Sequence, residues 1–517
     1  MGSENMASAP PFQALADLVR AHAGDRPAQP ALREGGRSLS YGELDALMDR
    51  VAAALQRDGA APGDAIAICA ATSIEYVVAF LGALRAGVAV APLAPGSTPA
   101  QLAAMVADAG ARQVFLDATT ARAFGEPELK PAHVVPIALD GSAGAGGPLA
   151  DWLAPAGARP EPIAIDPQAA FNIIYSSGTT GTPKGIVQSH AMRWAHVQRS
   201  DRFGYSPRAV TLLATPLYSN TTLVVLFPTL AAGGCAVLSA RFDAAAYLEL
   251  AERWRVTHTM LVPVQYERIL ACAEFDAHDL SSFEFKFCTS APFRAELKAE
   301  VLRRWPGGLI EFYGMTEGGG TCILAAHLHP DKLHTVGQPA EGHDIRLIDD
   351  DGRELPRGAT GEVVGRSGAM MNGYRNQPAL SAAAEWHDGE GRRYIRTGDI
   401  GRFDEDGFLT LLDRKKDMII SGGFNVYPSD LEAVLRGHAA VADVAVVGVA
   451  SAQWGETPVA FVVLAEDAAV SADELRAWAN ALVGKTQRLA ALRFVDALPR
   501  SAIGKVLKRE LRERRDG

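Results

Sequence analysis

The chain has 517 residues, of which 48% are hydrophobic and 21% are charged, so it can bury a large core and is not predicted to be disordered. At roughly 100 to 200 residues per domain, this length allows about three or four domains, or one large domain with a smaller one attached. Lys and Arg number 50 and Asp and Glu number 60, which gives a net charge of −10. This charge argues against a general nucleic-acid-binding protein. Any anionic ligand would have to be bound by local cations and backbone N–H groups.

Helix and strand signals alternate along the first part of the chain. Ser40 and Glu43 have the spacing of a capping box and open an apolar helical period. Apolar runs at 65–70 and 88–93 are long enough for buried strands, and residues 74–84 between them predict a helix. A further helix and strand follow, so the alternation predicts a doubly wound sheet with helices on both of its faces.

The pattern of predicted elements changes twice in the later part of the chain. A segment rich in Gly, Pro and Ala at 141–161 predicts a surface connection, and helix-and-strand units continue through 191–240 and 244–313. From about residue 335, short alternating runs with turn signals predict a β-rich subdomain, and the residues after 417 predict a small α+β domain. The helices of this last domain are predicted near 429–436, 472–483 and 506–514, and its strands near 443–449, 458–464 and 491–496.

The cysteines bear on the cellular compartment. There are five, at positions 69, 235, 272, 288 and 322, and no two form a CxxC pair. This pattern favours a reducing compartment over a disulfide framework or a zinc knuckle, and because no basic segment followed by an apolar run opens the chain, we expect a cytoplasmic protein. The most apolar stretch, 76–94, contains Arg85 and two glycines, which predicts a buried helix and strand and no integral membrane association.

The strongest local signal is the sequence YSSGTTGTPKG at 175–185, which follows an apolar run and precedes a predicted helix. Small residues let a backbone approach a phosphate closely, hydroxyls and N–H groups donate to its oxygens, and Lys184 adds a positive charge. The segment is not a Walker A loop, because Lys184 lies between Pro183 and Gly185 and does not complete GxxxxGK[ST]. A flexible surface loop is the alternative, and the density of hydroxyls and glycines argues against it.

This loop resembles the phosphate loop of the adenylate-forming superfamily, which includes acyl-CoA synthetases, luciferases and peptide-synthetase adenylation domains. Further segments, in that family's order, resemble its nucleotide and magnesium motif, its ribose motif, its hinge, the start of its mobile domain and its terminal lysine motif. They are YGMTE at 313–317, YIRTGD at 394–399, DRKKD at 413–417, SGGFNVYP at 421–428 and PRSAIGK at 499–505. The resemblance covers about residues 38 to 510 and is greatest to the acyl-CoA synthetases.

The resemblance implies an α/β fold in two domains. A large N-terminal domain at 1–413, with doubly wound sheets and the β-rich subdomain, would bind ATP and the acid. A hinge at 414–416 would connect it to a small mobile α+β domain at 417–517. Lys416 would be the residue about which the small domain rotates.

The resemblance also implies the nucleotide site. Lys505 would bridge the substrate carboxylate and the α-phosphate and cancel the repulsion between two anions. Thr180 and Glu317 would be catalytic with it, and Glu317 would hold Mg²⁺ against the phosphates. Asp399 and Arg414 would contact the ribose. Four of these residues have a structural alternative. Lys505 could be a surface lysine and Glu317 a solvated glutamate. Asp399 could be a turn aspartate and Arg414 a member of a charge cluster. The implied ATP-binding residues are Ser176, Ser177, Gly178, Thr179, Thr180, Gly181, Lys184, Thr289, Ser290, Ala291, Pro292, Tyr313, Gly314, Met315, Thr316, Asp399 and Arg414.

Acyl transfer to a thiol needs a second step, and Lys505 must leave before the thiol enters. In the family the small domain rotates for this purpose. Gly422 and Gly423 would then line the pantetheine channel, where a missing side chain gives room for a thin chain. Trp454 matches a family position near that channel, and its alternative is an aromatic side chain packed between two strands.

The acid pocket is where this chain departs from the family. Members usually carry His or an aromatic residue at the position of Ser219, and here the gating ring is absent unless Tyr218 replaces it. Asn220 belongs to the same segment. Helical spacing places His196 and Arg199 on one face of the helix after the phosphate loop, where they would recognise a second polar group of the acid, such as a hydroxyl or a second carboxylate. A solvated helix face is the alternative.

The function implied by the resemblance is an acid–CoA ligase that uses ATP, Mg²⁺ and coenzyme A on a small or medium carboxylic acid. One alternative is an adenylation enzyme that loads a separate carrier protein. A second is a sensor that binds a nucleotide or an acyl-adenylate without catalysis, which the presence of Lys505 and Glu317 disfavours. No residue supports a luciferase-like oxygenase. No nucleic-acid partner is expected, and a homodimer is compatible with the sequence.

Overall fold

The computed structural model describes residues 11–122, 124, 134–141, 147–176, 184–421, 424–451, 454–484, 487–501 and 504–514. Within these ranges, no helix is long and apolar enough to span a membrane. All five cysteines are free, in agreement with the expectation from their spacing.

The first part of the chain confirms the predicted alternation of helices and strands. Its helix α2 begins at the predicted capping box, in which the Glu43 N–H donates to Ser40 Oγ and the Ser40 N–H donates to the Glu43 carboxylate over 2.8 Å. The elements are α1 (Leu15–Asp25), β1 (Pro30–Glu34), β2 (Arg37–Ser40), α2 (Tyr41–Arg57), β3 (Ala65–Cys69), α3 (Ile74–Arg85), β4 (Ala89–Pro92), α4 (Pro99–Ala109), β5 (Ala111–Leu116), α5 (Ala118–Ala121), β6 (Val135–Ala138), β7 (Gly147–Pro148), α6 (Leu149–Trp152), β8 (Ala170–Ser176), β9 (Lys184–Ser189) and α7 (His190–Gln198).

The next part continues in the same manner after a short 3₁₀ helix at Ser200–Phe203. Its elements are β10 (Val210–Leu213), α8 (Asn220–Ala231), β11 (Cys235–Leu238), α9 (Ala244–Arg253), β12 (His258–Leu261), α10 (Pro263–Leu270), β13 (Phe285–Cys288), α11 (Ala295–Arg304), β14 (Gly308–Tyr313), β15 (Cys322–Ala325) and β16 (Gln338–Pro339).

The remaining elements are mostly strands up to residue 414 and then mixed. They are β17 (Asp344–Ile348), β18 (Thr360–Arg366), β19 (Gly373–Tyr374), α12 (Pro378–Ala383), β20 (Glu385–His387), β21 (Arg393–Phe403), β22 (Leu409–Arg414), β23 (Ile419–Ser421), β24 (Phe424–Val426), α13 (Pro428–Arg436), β25 (Val441–Ser451), β26 (Gly455–Leu464), α14 (Ala472–Leu482), β27 (Ala491–Phe494) and α15 (Lys508–Glu513).

Two mostly parallel sheets form the large domain. Their strand orders are β19-β9-β8-β4-β3-β5-β6-β7 and β16-β15-β14-β13-β12-β10-β11-β1-β2. In each sheet the parallel run ends on one side at an antiparallel strand, β9 beside β8 and β15 beside β14. The predicted α/β class is therefore confirmed, and ligands of such folds usually bind beyond the carboxyl ends of the parallel strands.

The core lies where α3 and α8 pack against these sheets. Every residue of α3 except Glu75 is buried, which is why this stretch is apolar on all faces. A side chain at Gly82 would collide with Val51 of α2 at 2.4 Å, so glycine lets the two helices approach closely. The single buried charge of α3, Arg85, is neutralised because its Nη1 lies 2.9 Å from Asp49 Oδ1 and its Nη2 lies 2.6 Å from Asp45 Oδ1.

A second buried ion pair joins α11 to β14. The Lys298 ammonium lies 2.5 Å from Glu311 Oε2 and donates to the carbonyls of Leu333 and Thr335 over 2.7 and 2.9 Å. Both side chains are almost completely buried. The pair fixes the last long helix of the large domain to the strand that ends at Tyr313.

Two smaller five-stranded sheets complete the fold. One is the predicted β-rich subdomain, with order β17-β18-β21-β20 and β22 beside β21, and all its pairs are antiparallel. The other has order β24-β23-β26-β25 with β27 parallel to β26, and α13 and α14 cover one face of it. The chain passes from one to the other between Arg414 and Ile419. The domain limits and the hinge at 414–416 stay predictions.

Candidate active site

The phosphate-loop motif connects two adjacent antiparallel strands. In the register of β8 with β9, Ser176 lies opposite Lys184, so both ends of the predicted loop are held together. The loop residues Ser177, Gly178, Thr179, Thr180 and Gly181 lie outside the residues that the structure describes.

The predicted ribose residues meet at one corner of the β-rich subdomain. Tyr313 ends β14, and its hydroxyl donates to Asp399 Oδ2 over 2.9 Å. Asp399 lies opposite Arg414 in the register of β21 with β22, and Arg414 Nε is 3.0 Å from Asp399 Oδ1. Burial, followed by the nearby Asp399 carboxylate, raises the pKa of Tyr313 and keeps its hydroxyl a donor. A hydrogen-bonded carboxylate at a sheet corner can accept hydrogen bonds from a diol.

A second corner brings together Glu317, Tyr374 and Lys184. The Tyr374 hydroxyl donates to Glu317 Oε1 over 2.9 Å, and Lys184 Nζ lies 5.6 Å from the centre of the Tyr374 ring. The Glu317 carbonyl accepts from the Met371 N–H over 2.8 Å, which anchors the motif to the segment before β19. Sequence reasoning missed Tyr374, because it lies 57 residues beyond Glu317 and outside every motif.

The Glu317 carboxylate suits a magnesium ion that is bound mainly by phosphates. Mg²⁺ usually keeps several waters and takes one or two carboxylates together with substrate phosphates. Tyr374 orients one carboxylate oxygen and leaves the second unengaged by any hydrogen bond within the described ranges. No cluster of three or more metal-binding side chains occurs among those residues, so a dedicated protein cage is absent there.

The turn predicted to face the adenine is held from two sides. Thr289 Oγ1 donates to the Phe312 carbonyl over 2.8 Å, and Ser290 Oγ lies 2.7 Å from Thr221 Oγ1. Ser290 has φ of 79°, a left-handed conformation that costs energy in a residue with a side chain. Ala291 and Pro292 follow it in the same partly exposed turn.

Lys505 occupies a tight turn that touches the large domain. The Ser501 N–H donates to the Lys505 carbonyl over 2.8 Å, and Arg500 ties the turn to Asp443 of β25. Gly504 has φ of 76°, and a side chain there would begin 2.8 Å from Val264 of α10. Glycine therefore allows both the turn and the close contact between the small and large domains.

Four basic side chains lie near one another in the cleft beside the Lys505 turn: Lys184, Arg414, Lys416 and Lys505. Burial, followed by Arg414 and Lys416, lowers the pKa of Lys505 to about 8, while Asp399 opposes the shift. Burial also lowers the pKa of Lys416, and Arg414 and Lys184 add to it. Lys505 and Lys416 nevertheless keep more than a third of their surface exposed, as expected for side chains in an open cleft. Such a concentration of positive charge suits a polyphosphate.

A buried chain of hydrogen bonds connects this cleft with α7. Gln188 donates from Nε2 to the Thr316 carbonyl over 2.6 Å and accepts from Asn172 Nδ2 over 3.0 Å. Asn172 Oδ1 in turn accepts from Arg193 Nε over 2.9 Å. Arg193 is 2% exposed and its guanidinium lies 5.4 Å from the centre of the Phe227 ring. Its Nη1 and Nη2 have no hydrogen-bond partner within the part of the chain that the structure describes. Sequence analysis missed Asn172 and Gln188.

The C-terminal end of α7 is partly buried. His196 Nδ1 is buried and has no hydrogen-bond partner among the described residues, and burial lowers the pKa of both His196 and Arg199. Both residues nevertheless keep part of their surface exposed, so their place in the acid pocket stays a prediction, with a solvated helix face as its alternative.

The segment expected to carry the gate has another local role at Ser219. Ser219 is the N-cap of α8 and its Oγ accepts from the Thr221 N–H, while Asn220 is the first helical residue. Burial, followed by the nearby Cys69 thiol of β3, raises the pKa of Tyr218, so this side chain packs towards the first sheet. Participation of these three residues in acid binding stays a prediction.

The predicted CoA channel is described only at Trp454. Gly422 and Gly423 lie outside the described residues. Trp454 is 52% exposed in the turn between β25 and β26, so the alternative of an aromatic side chain packed between strands is wrong. Its place in a channel stays a prediction.

Comparison with known families identifies the family of the chain. The family model described as AMP-binding enzyme matches residues 19–375, and the model of the AMP-binding enzyme C-terminal domain matches residues 430–505. The chain belongs to the AMP-binding enzymes. It is thus an ATP-dependent adenylate-forming ligase, as the motif resemblance implied.

Individual relatives extend over nearly the whole of this AMP-binding enzyme. It is 35% identical to 4-coumarate–CoA ligase 5 of Oryza sativa subsp. japonica, over 96% of this chain and 94% of the relative. It is 32% identical to the fatty acid–[acyl-carrier-protein] ligase ScoC of Streptomyces coeruleorubidus, over 98% and 97%. ATP-bound MatB from Rhodopseudomonas palustris has a similar structure, with a TM-score of 0.86, 30% identity and coverage of 96% and 98%.

Proposed function

We propose that this AMP-binding enzyme is an acid–CoA ligase for a small or medium carboxylic acid. The observation that supports the proposal is the convergence of Lys505 with Lys184, Arg414 and Asp399 on one cleft, because cations grouped in this way suit the phosphates of a nucleotide. Relatives that act as acid–CoA ligases, such as 4-coumarate–CoA ligase 5, support the choice of acceptor.

In the first step, a carboxylate oxygen attacks the α-phosphorus of ATP, and the bond to the β-phosphate oxygen breaks to release pyrophosphate. Lys505 would lie between the two approaching anions and offset the charge that develops at phosphorus. Asp399 and Arg414 would hold the ribose so that the phosphorus faces the acid. Mg²⁺ held by Glu317 would supply charge neutralisation for the phosphates.

In the second step, the thiol sulfur of coenzyme A attacks the acyl carbon, loses its proton, and displaces AMP. The turn that carries Lys505 would occupy the face of the adenylate that the thiol must reach, so the small domain would rotate about Lys416 before the thiol enters. The carrier-protein alternative is supported by the similarity to ScoC, whose acceptor is an acyl carrier protein.

The direct test measures pyrophosphate release across short, branched, hydroxy, dicarboxylic, aromatic and long-chain acids, with and without coenzyme A. We expect release with a subset of the acids and an acyl-CoA product when coenzyme A is added. Release without thioester, followed by acylation of a supplied carrier protein, would favour the alternative acceptor. No release with any acid would contradict both ligase proposals.

We expect Asp399→Asn to weaken ATP binding. The substitution removes the charge that Arg414 and Tyr313 orient, so the KM for ATP should rise about tenfold or more, because hydrogen bonds to a charged group are worth about 1.5–3 kcal/mol. Steady-state kinetics with varied ATP measure the change. Asp388→Asn is a suitable control, since Asp388 also accepts from a tyrosine and an arginine but lies before β21, away from the cleft. An unchanged KM for ATP would remove Asp399 from the site.

A further inference from the structure

Three basic side chains come together beside α7. His196 and Arg199 lie at i and i+3 on this helix, and His343 lies one residue before β17. Arg202, three residues after Arg199, pairs with Glu341, whereas no ion pair joins the other three to a carboxylate among the side chains that the structure describes, which do not include that of Asp201. We call His196, Arg199 and His343 the basic cluster.

The members of the basic cluster are close enough to repel one another. Burial, followed by Arg199, lowers the pKa of His343 to about 4. Burial, followed by Arg199 and then Arg193 and His343, lowers the pKa of His196. Each of the three still keeps part of its surface accessible. His196 Nδ1 is buried and has no hydrogen-bond partner among the described residues, and uncompensated positive charge beside an unpaired polar atom favours an anion.

Two members of the basic cluster, His343 and Arg199, present donors that are oriented and make no hydrogen bond to the described residues. His343 Nδ1 accepts from the Thr321 N–H over 2.9 Å, which places the proton of the neutral ring on Nε2. Arg199 donates from Nε to the Ala195 carbonyl, and its two terminal nitrogens make no hydrogen bond to the described residues. A carboxylate could therefore accept from a guanidinium and a ring N–H at once, which is the stronger kind of hydrogen bond.

The cluster adjoins the nucleotide motif. Thr321, which binds His343, has its hydroxyl 3.4 Å from the position that a side chain at Gly314 would occupy. Phe203, four residues after Arg199, is partly buried at the edge of the core, and its ring centre lies 5.6 Å from that of Phe312. The basic cluster is therefore linked to the nucleotide motif through Thr321 and lies close in the chain to an apolar edge of the core.

We propose that the basic cluster binds a second carboxylate of the substrate, so that the acid activated by this enzyme is a dicarboxylic acid. One carboxylate is adenylated, and the other is held by Arg199, His196 and His343. This inference rests on the proposed ligase function and names the substrate class of the same site.

The test compares each diacid with its own monomethyl ester, which keeps the length and one reactive carboxylate but removes the second charge. Succinate, adipate, suberate and terephthalate are the probes, and pyrophosphate release is measured. For the best diacid we expect kcat/KM to exceed that of its ester by about tenfold to a hundredfold, the value of a charge-assisted hydrogen-bond pair. Arg199→Gln should remove this preference, so that the ratio of kcat/KM for the diacid to that for its ester falls to about one.

Arg202→Gln is the matched control, because Arg202 is exposed and already paired with Glu341, and its diacid preference should be unchanged. His343→Phe gives a second variant of similar size if Arg199→Gln does not fold. Equal rates with diacid and ester in the unaltered enzyme would overturn the dicarboxylate proposal and leave the ligase intact. An equal loss for diacid and ester in both variants would also overturn it. No release with any acid would instead contradict the proposed function.

Discussion

Lys505→Ala should lower the rate of adenylation by about a hundredfold to a thousandfold, the usual effect of removing one preorganised group that stabilises charge in a transition state. Attack of coenzyme A on preformed acyl-adenylate should change little, because the turn that carries Lys505 must leave before that step. Pyrophosphate release measures the first half-reaction, and thioester formation from added acyl-adenylate measures the second. An equal loss in both would contradict the assigned role.

Lys508→Ala is the control for this variant. Lys508 lies three residues further on, in α15, and its ammonium is 2.9 Å from Glu432 Oε1 within the small domain. Both half-reactions should stay near the unaltered rate.

The pH dependence of adenylation offers an independent check on Lys505. Its pKa is lowered to about 8, so it loses its proton, and with it the positive charge, at a lower pH than an ordinary lysine. The kcat/KM for ATP, which reports the free enzyme, should fall about tenfold for each pH unit above 8. Lys505→Arg should have a flatter profile, because arginine stays charged, and an identical profile would assign the titration to another group.

Lys298→Met should destabilise the large domain by about 3–5 kcal/mol, since it leaves the buried Glu311 carboxylate without its partner. Urea unfolding followed by tryptophan fluorescence measures the change, and the buried Trp305 at the end of the same helix is a suitable reporter. Burial raises the pKa of Glu311 to about 7, so the carboxyl is protonated more readily in the folded than in the unfolded chain. The loss should therefore be smaller below pH 7 than above it.

Two further variants separate the ion pair from other effects. Arg294→Ala, at the start of the same helix, removes an exposed pair with Glu267 and should cost about 1 kcal/mol or less. The double variant Lys298→Met with Glu311→Leu should regain most of the loss, because apolar groups replace both charges. Failure of the double variant to recover would assign the stability to the bonds from Lys298 to the two carbonyls.

Local signals in the sequence predicted the elements and the motifs well. The capping box at Ser40 and Glu43 placed α2, and the helices and strands of the last domain lie within a few residues of their predicted positions. These features depend on neighbouring residues, which is why hydrophobic period and turn residues suffice to find them.

Contacts between residues that are far apart in the sequence could not be predicted from local sequence patterns. Tyr374 meets Glu317, and Gln188 meets Thr316 across 128 positions, and nothing in the flanking residues marks either contact. For Trp454, which was expected near the CoA channel, local patterns left packing between two strands as an alternative, and only the three-dimensional turn that exposes the side chain removes it. Hydrophobic period reports the face of a local element and does not report which distant side chain lies opposite it.

The hydrogen-bonded chain from Arg193 through Asn172 and Gln188 to Thr316 has a thermodynamic consequence. It is buried and runs without a break from the helix beside the basic cluster to the nucleotide motif. When a ligand restricts the motion of the nucleotide motif, the hydrogen-bonded chain should also restrict the motion of α7. Binding of the acid beside α7 would then remove less conformational entropy. ATP and the acid would then bind with positive cooperativity, and by linkage each would tighten the other by the same factor.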